Sequence, residues 1–344
     1  MANIANQKTT GSGGNGREWF FRVILLTGSL VFSIGLAELV TRAFFPVYGG
    51  LDNVTLDGGP VKEWFAPGSV YRQVSNEYDA ITTITPQGHR VPGTDQNPEV
   101  VFLGDSFTFG FGLKDDQTFA AIYCQQRQVT CANLGIPGSG TSRQVARLAQ
   151  FLGDFHWHPR EVKLFFFGMS GSFSAGNDFV DNYDFGRRRD AQVTRTPATD
   201  AAPPSLAARV IGLQSMLLDH SYLMRRMKFH WGPLLKTLIV DDPGELRMSE
   251  ALAYTRQGLQ EFDDLSKRSG FDYTVYLIVP VQDILRGSDG VTLATLNSVS
   301  PRQAISTAPA LQDAPASYYY AYDGHLNPEG SRRVAEFLVA REPR

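Results

Sequence analysis

A serine at the end of an apolar run and a histidine two residues after an aspartate are the parts from which an activated hydroxyl is built. Here they are Ser106, which closes Val101-Phe-Leu-Gly-Asp-Ser106, and the pair Asp323-Gly-His325 far downstream. An unassisted serine hydroxyl is a poor nucleophile near neutral pH, so the chemistry needs a histidine to take its proton and a carboxylate to orient that histidine. Two further loops follow apolar runs in the same way. One is Asn133-Leu-Gly-Ile-Pro-Gly-Ser-Gly-Thr141, and the other leads from Val162–Phe167 to Gly176-Asn-Asp178.

The elements that must carry these residues are legible from hydrophobic periodicity. The pattern predicts strands over Val100–Leu103, Val129–Leu134, Val162–Phe167 and Tyr273–Val279. Helices are predicted over Phe119–Arg127, Ser142–Leu152 and Ser249–Lys267, with a last one from about Glu329 to Arg341. Alternation of this kind implies an α/β fold with a parallel sheet covered by helices on both faces, in which ligands collect at the carboxyl ends of the strands. Ser106, Gly138 and Asn177 all fall at such ends.

Taken together, these blocks resemble the SGNH, or GDSL-like, hydrolase superfamily over roughly Glu99 to the C-terminus. The resemblance implies a three-layer, flavodoxin-like sheet and assigns Ser106 as nucleophile, His325 as general base and acid, and Asp323 as the residue that orients the ring. It also implies an oxyanion hole made by the backbone N–H of Ser106, the backbone N–H of Gly138 and the side-chain amide of Asn177. The chain departs from the common family pattern in two places. Asp323 precedes His325 by two residues instead of three, a spacing similar to SGNH-like domains of the alginate-acetylation type. A Gly/Ser-rich stretch, Gly168 to Ala175, separates the third strand from Asn177. In an extended segment residues 323 and 325 point to one side, so the short spacing works if the chain is strand-like there, and Gly324 permits unusual dihedrals.

Each residue also has a structural role open to it. Ser106 can cap the helix that follows, Asn177 can stabilise a turn, Gly138 can shape the turn after Pro137, and His325 can be a surface residue before a helix starting near Pro328. Asp105 and Asp178 read as acceptors for backbone N–H groups. His156-Trp-His158 reads as surface or packing histidines. No metal-ligand spacing occurs, and no cofactor or metal is expected. The implied activity is ester hydrolysis by a serine esterase acting on acyl groups, above all O-acetyl groups, of an envelope or secreted polysaccharide. O-acetyl transfer by the same triad is the alternative. A non-catalytic glycan-binding or assembly module is the third reading, if Asp323 and His325 lie too far from Ser106 to react.

Outside these blocks, Val23 to Ala37 carries no charge and is bounded by Arg22 and Glu38. Counting 19–45 as one apolar segment, with Arg22 and Glu38 reaching towards the interfaces, gives enough length to span a bilayer. Lys8, Arg17 and Arg22 on the leading side then place residues 1–18, a flexible tail, in the cytoplasm. This implies a single-pass protein of the cytoplasmic (inner) membrane with its catalytic domain in the periplasm or outside the cell. A cleaved secretory signal ending near Gly35-Leu-Ala37 and a buried helix of a soluble protein are the alternatives. Residues 46–98 read as a linker and accessory segment and 99–344 as the catalytic domain. That domain contains an insertion at about 183–246, marked by Arg187-Arg-Arg189, Pro197 and Pro203-Pro204. Arg225, Arg226 and Lys228 beside Leu223, Met224 and Met227 form either a solvated face or a membrane-apposed one.

The chain has 344 residues, 42% hydrophobic and 19% charged, enough for a full α/β core beside the apolar segment. A net charge of −3 provides no field to recruit nucleic acid. Its two cysteines, Cys124 and Cys131, either close a disulfide suited to an oxidising compartment or are two small buried hydrophobes.

Overall fold

The computed structural model describes residues 15–44, 67–74, 77–93, 97–169, 177–193, 221–224, 227 and 248–341. Most of the expected insertion, including Arg225, Arg226 and Lys228, lies outside them, as does most of the Gly/Ser-rich stretch before Asn177.

The main sheet contains β3 (Arg90–Gly93), β4 (Val100–Gly104), β5 (Cys131–Asn133), β6 (Glu161–Phe167), β7 (Asp272–Ile278) and β8 (Ile305–Ser306), in the order β3-β5-β4-β6-β7-β8. From β5 to β8 all pairings are parallel. Counting only the parallel strands in chain order gives 2-1-3-4-5, the flavodoxin-like arrangement, whose switch point lies between β4 and β6. The exception is β3, which pairs antiparallel with β5 and comes from the segment ahead of Val100. A Pro-containing strand of four residues suits an edge, where a missing N–H costs no ladder bond.

Alternation along the strands divides the core into two faces. Val101 and Leu103 of β4, Leu164 and Phe166 of β6, and Val275 and Leu277 of β7 point to one side. That side is covered by α4 (Thr141–Asp154) and α6 (Met248–Ser269). Val100, Phe102, Phe165, Phe167, Tyr276 and Ile278 point to the other, under α3 (Phe119–Arg127) and α9 (Pro328–Arg341). β4 is buried at every position and β6 at all but its first residue. Each Leu or Phe so removed from water contributes about 2–3 kcal/mol, which is why the central strands read as unbroken apolar runs. Cys124 at the end of α3 and Cys131 at the start of β5 are joined by a disulfide.

Several elements differ from the sequence pattern. A helix α5 (Asp178–Val193) runs through Arg187-Arg-Arg189, where an interruption was expected. Its buried face, Phe179, Val180 and Tyr183, packs inward while the arginines line the outside. Two short helices, α7 (Val281–Arg286) and α8 (Asp289–Asn297), lack a strong period and carry few buried residues.

Ahead of the sheet, β1 (Val70–Val74) and β2 (Asp79–Thr83) form a separate antiparallel hairpin. The N-terminal helix α1 (Asn15–Phe44) is long and apolar enough to cross a membrane, and its apolar side chains are exposed on all sides. Glu38 does not reach for solvent. Its carboxylate accepts hydrogen bonds from Ser221 Oγ at 2.7 Å and from the N–H groups of Tyr222 and Leu223 at 2.9 and 3.0 Å. Free N–H groups at the start of a helical turn are better partners for a carboxylate than water at an apolar surface.

Candidate active site

Ser106 is the first residue of the short helix α2 (Ser106–Phe109), directly after β4. The capping role open to it belongs instead to Asp105, whose Oδ1 accepts the Phe107 N–H at 2.9 Å. Freed from that task, the Ser106 hydroxyl lies 2.8 Å from His325 Nε2. The other ring nitrogen, Nδ1, lies 2.5 Å from Asp323 Oδ1. Serine, imidazole and carboxylate therefore form one continuous chain, brought together across 219 residues of sequence. The imidazole packs at 4.8 Å from the Phe107 ring and at 5.1 Å from the Phe111 ring, so apolar walls fix its plane.

The short Asp-x-His spacing works through a turn and not through an extended segment. Gly324 sits at φ +87°, a left-handed conformation that only glycine adopts without strain. Its N–H donates to Tyr320 O, and the Tyr320 N–H donates to His325 O, closing the turn. Asp323 Oδ1 also accepts the His325 backbone N–H at 3.3 Å, as aspartates commonly do two residues on. The same oxygen thus sets both the backbone and the ring of His325.

Gly138 follows β5 and Asn177 follows β6 in the chain, and these are the two strands that flank β4, the strand leading to Ser106. The β5 loop is stitched to the Ser106 corner. Ile136 N–H donates to Gly104 O, and the Asn133 side chain donates to Thr108 O at 2.8 Å. Gly135 passes so close that a Cβ there would sit 2.2 Å from Phe109 N. Gly138 itself is an exposed turn residue at φ +64°. Asn177 is buried, and its Oδ1 accepts the N–H groups of Phe179 and Val180 at the start of α5. The donor that this side chain offers is its amide Nδ2.

Near the site are the buried Asp105 and Asp178, which the sequence read only as backbone acceptors, and the half-buried Asp181, which it did not single out. Burial pushes Asp105 up to about 6, against the pull of His325 and of three backbone N–H groups. Burial, reinforced by Asp105 and Asp181, holds Asp178 well above the usual carboxylate range. Asp178 Oδ2 faces the Gln144 side chain at 3.4 Å. Asp181 is pushed up to about 7 by burial and by Asp105 and Asp184, despite Arg143 and Arg188. Asp323 behaves in the opposite way. Burial raises it, but hydrogen bonds from His325 and from Tyr78 outweigh that and hold it below the ordinary value.

Sequence reasoning missed Tyr78 and Glu77. The Tyr78 hydroxyl donates to Asp323 Oδ2 at 3.1 Å, and the Glu77 carboxylate accepts the N–H groups of Tyr322 and Asp323. Nothing in the sequence couples residues 245 positions apart, so no local signal could have found them. Among the described residues no group of three or more His, Cys, Asp or Glu side chains is arranged to hold a metal ion. His156 and His158 are exposed on either side of a buried Trp157.

No protein-family model matches the chain, and neither does any curated protein. Solved structures do match, among them lipolytic and carbohydrate-esterase proteins. One is a member of the lipolytic protein G-D-S-L family from Veillonella parvula, at 12% identity and TM-score 0.39, covering 70% of this chain and 96% of that one. Another is a variant of an acetyl-xylooligosaccharide esterase from Geobacillus stearmophilus, at 14% identity and TM-score 0.35, covering 71% and 94%. A third is a carbohydrate esterase family 2 enzyme with a carbohydrate-binding domain from Corynascus thermopiles, at 11% identity and TM-score 0.33, covering 76% and 69%.

Proposed function

We propose that the protein is a serine esterase of SGNH type, acting on acyl esters, above all O-acetyl groups, of an envelope or secreted polysaccharide. The observation that carries this reading is the unbroken relay from Ser106 Oγ through both nitrogens of His325 to Asp323. In the proposed cycle His325 Nε2 takes the hydroxyl proton as Ser106 Oγ attacks the ester carbonyl carbon. The carbonyl oxygen becomes an oxyanion facing the Ser106 N–H, the Gly138 N–H and the Asn177 amide. Collapse breaks the bond to the alcohol oxygen, which leaves with the proton returned by His325 and leaves an acyl-serine behind. Water, deprotonated by the same imidazole, then releases the acid. The imidazolium formed midway is stabilised by Asp323 at Nδ1 and by the field of Asp105.

Transfer of the acyl group to a sugar hydroxyl uses every one of these residues, with the hydroxyl replacing water. The Asp-x-His spacing, similar to domains of the alginate-acetylation type, favours this as the second reading. A non-catalytic module would have Asp323 and His325 away from Ser106, and the 2.8 Å contact supports the catalytic reading over it. We further propose that α1 anchors the chain in the cytoplasmic membrane with the residues after it on the outer side, a compartment in which the Cys124–Cys131 disulfide is at home.

The test is covalent labelling of the full chain in detergent by a fluorophosphonate, read by intact mass, for the native protein, Ser106→Ala and His325→Ala. One adduct on the native protein and none on either variant supports the reading. An unlabelled, folded native protein overturns it. Products from an acetylated glycan, with and without an acceptor glycan, then separate hydrolysis from transfer.

A further inference from the structure

The β1–β2 hairpin lies outside the α/β sheet, yet Glu77 and Tyr78, just ahead of β2, touch the candidate site. Tyr78 places its ring against Tyr320, at 5.0 Å between centroids, and edge-on to Phe111 at 6.2 Å. A Cβ at Gly112 would meet that ring at 2.8 Å, so the loop after α2 leaves room for it only because residue 112 is glycine. The hydroxyl then reaches Asp323 Oδ2, the oxygen that His325 does not use. Next to it, Glu77 spans two successive N–H groups of the same turn, from Tyr322 at 3.1 Å and from Asp323 at 2.9 Å.

The hairpin is held equally firmly on the serine side. Gln73 Oε1 accepts the Gly112 N–H at 2.6 Å, while its Nε2 donates to Thr82 across the hairpin. The Thr83 N–H donates to the Asp115 carboxylate. Asp115 in turn pairs at 3.3 Å with Arg90, a buried guanidinium that also donates to the carbonyls of Phe109, Gly110 and Leu113. One small hairpin thus grips the loop that follows Ser106 and the turn that carries His325.

We propose that Glu77 and Tyr78 are positioning residues for the triad. Tyr78 fixes the rotation of the Asp323 carboxylate by occupying Oδ2, and Glu77 fixes the backbone of the turn that presents Asp323 and His325. A carboxylate held at both oxygens keeps Oδ1 aimed at Nδ1, so the imidazole meets Ser106 in one orientation. A carboxylate held at one oxygen is free to rotate about its terminal torsion, which has a broad and roughly two-fold profile. This inference rests on the triad reading above.

The experiment uses the full chain in detergent and follows the second-order rate of fluorophosphonate labelling, with thermal melting of each variant alongside. Tyr78→Phe keeps the ring packing and removes one hydrogen bond to a charged group, so labelling slows about tenfold while the melting temperature falls by only a few degrees. With an acetyl ester substrate the loss falls on kcat while KM holds. In an Asp323→Ala background the same substitution changes the rate less than twofold, because the group it acts through is gone. Glu77→Gln retains the shape and weakens both N–H contacts, and it carries the test if Tyr78→Phe is unstable. Labelling of both variants at the native rate, or an unchanged Tyr78→Phe penalty without Asp323, overturns the inference and leaves the triad standing. No labelling of the native protein overturns the triad itself.

Discussion

The two halves of the candidate site are built in different ways. Ser106 stands at the end of a wholly buried central strand, on a helix capped by its own neighbour Asp105 and braced by the β5 loop. Asp323 and His325 stand on a turn whose closure depends on Gly324, on an Asp323 oxygen that bonds two groups of residue 325, and on a hairpin from the other end of the chain. The serine half is rigid because the sheet is rigid, and shifting it means disturbing packed core. The histidine half sits at the surface and is precise only as long as its tethers hold.

Removing the reacting groups has the largest effect and treats the halves alike. Ser106→Ala and His325→Ala each lower ester turnover by about a million-fold, as single losses from such a relay do, measured as acetate release from an acetylated glycan. Asp323→Ala, on the tethered half, lowers kcat by about ten-thousand-fold and leaves KM near native, since only orientation and charge of the imidazole change. A loss equal to that of His325→Ala would mean that Asp323 has a role beyond orientation.

Gly135→Ala sharpens the contrast on the serine side. Its Cβ would press into Phe109 N at 2.2 Å, so it destabilises the fold by about 3 kcal/mol in urea unfolding. A hairpin substitution such as Tyr78→Phe slows labelling with little loss of stability. If Gly135→Ala leaves the unfolding midpoint unchanged, the serine corner is more pliable than its packing implies.

The carboxylates near the site yield a pH dependence with a definite sign. Asp105 and Asp181 are raised, to about 6 and about 7, so the native state holds protons that the unfolded chain releases near 4. Their stabilising contribution is complete below about 4 and is lost as pH rises through those values. Melting temperature is therefore expected to fall between pH 5 and pH 8, and Asp181→Asn flattens that slope. Asp323, held low, acts in the reverse sense and only at more acidic pH, outside this window. A slope that survives Asp181→Asn unchanged removes this residue from the account.

The smallest effect on the chemistry comes from the disulfide. Replacing Cys124 and Cys131 by serine costs about 2 kcal/mol of stability through the short loop they close. The labelling rate stays within twofold of native, because Cys131 lies beside Val100, at the end of β4 opposite Ser106.

By itself the sequence determined four of the six strands of the main sheet and singled out the candidates for the reacting residues. Helix Phe119–Arg127 is observed with the bounds its periodicity predicts, and the four expected strands are all present within two residues or so at each end. Buried strands and amphipathic helices write their environment into the local pattern, and Gly-Asp-Ser after a strand and Asp-x-His before a helix are local signals too. What did not reach the sequence pattern was decided by contacts between distant segments. The helix over Arg187-Arg-Arg189, the turn in place of an extended Asp323–His325 segment, and the seat of Glu38 on residues 221–223 all have partners far away in the chain. The same holds for the grip of Glu77 and Tyr78 on the histidine turn. Periodicity reports which face of an element is buried, whereas a hydrogen bond between residues 78 and 323 exists only once the whole sheet has brought two surface turns to within 3.1 Å.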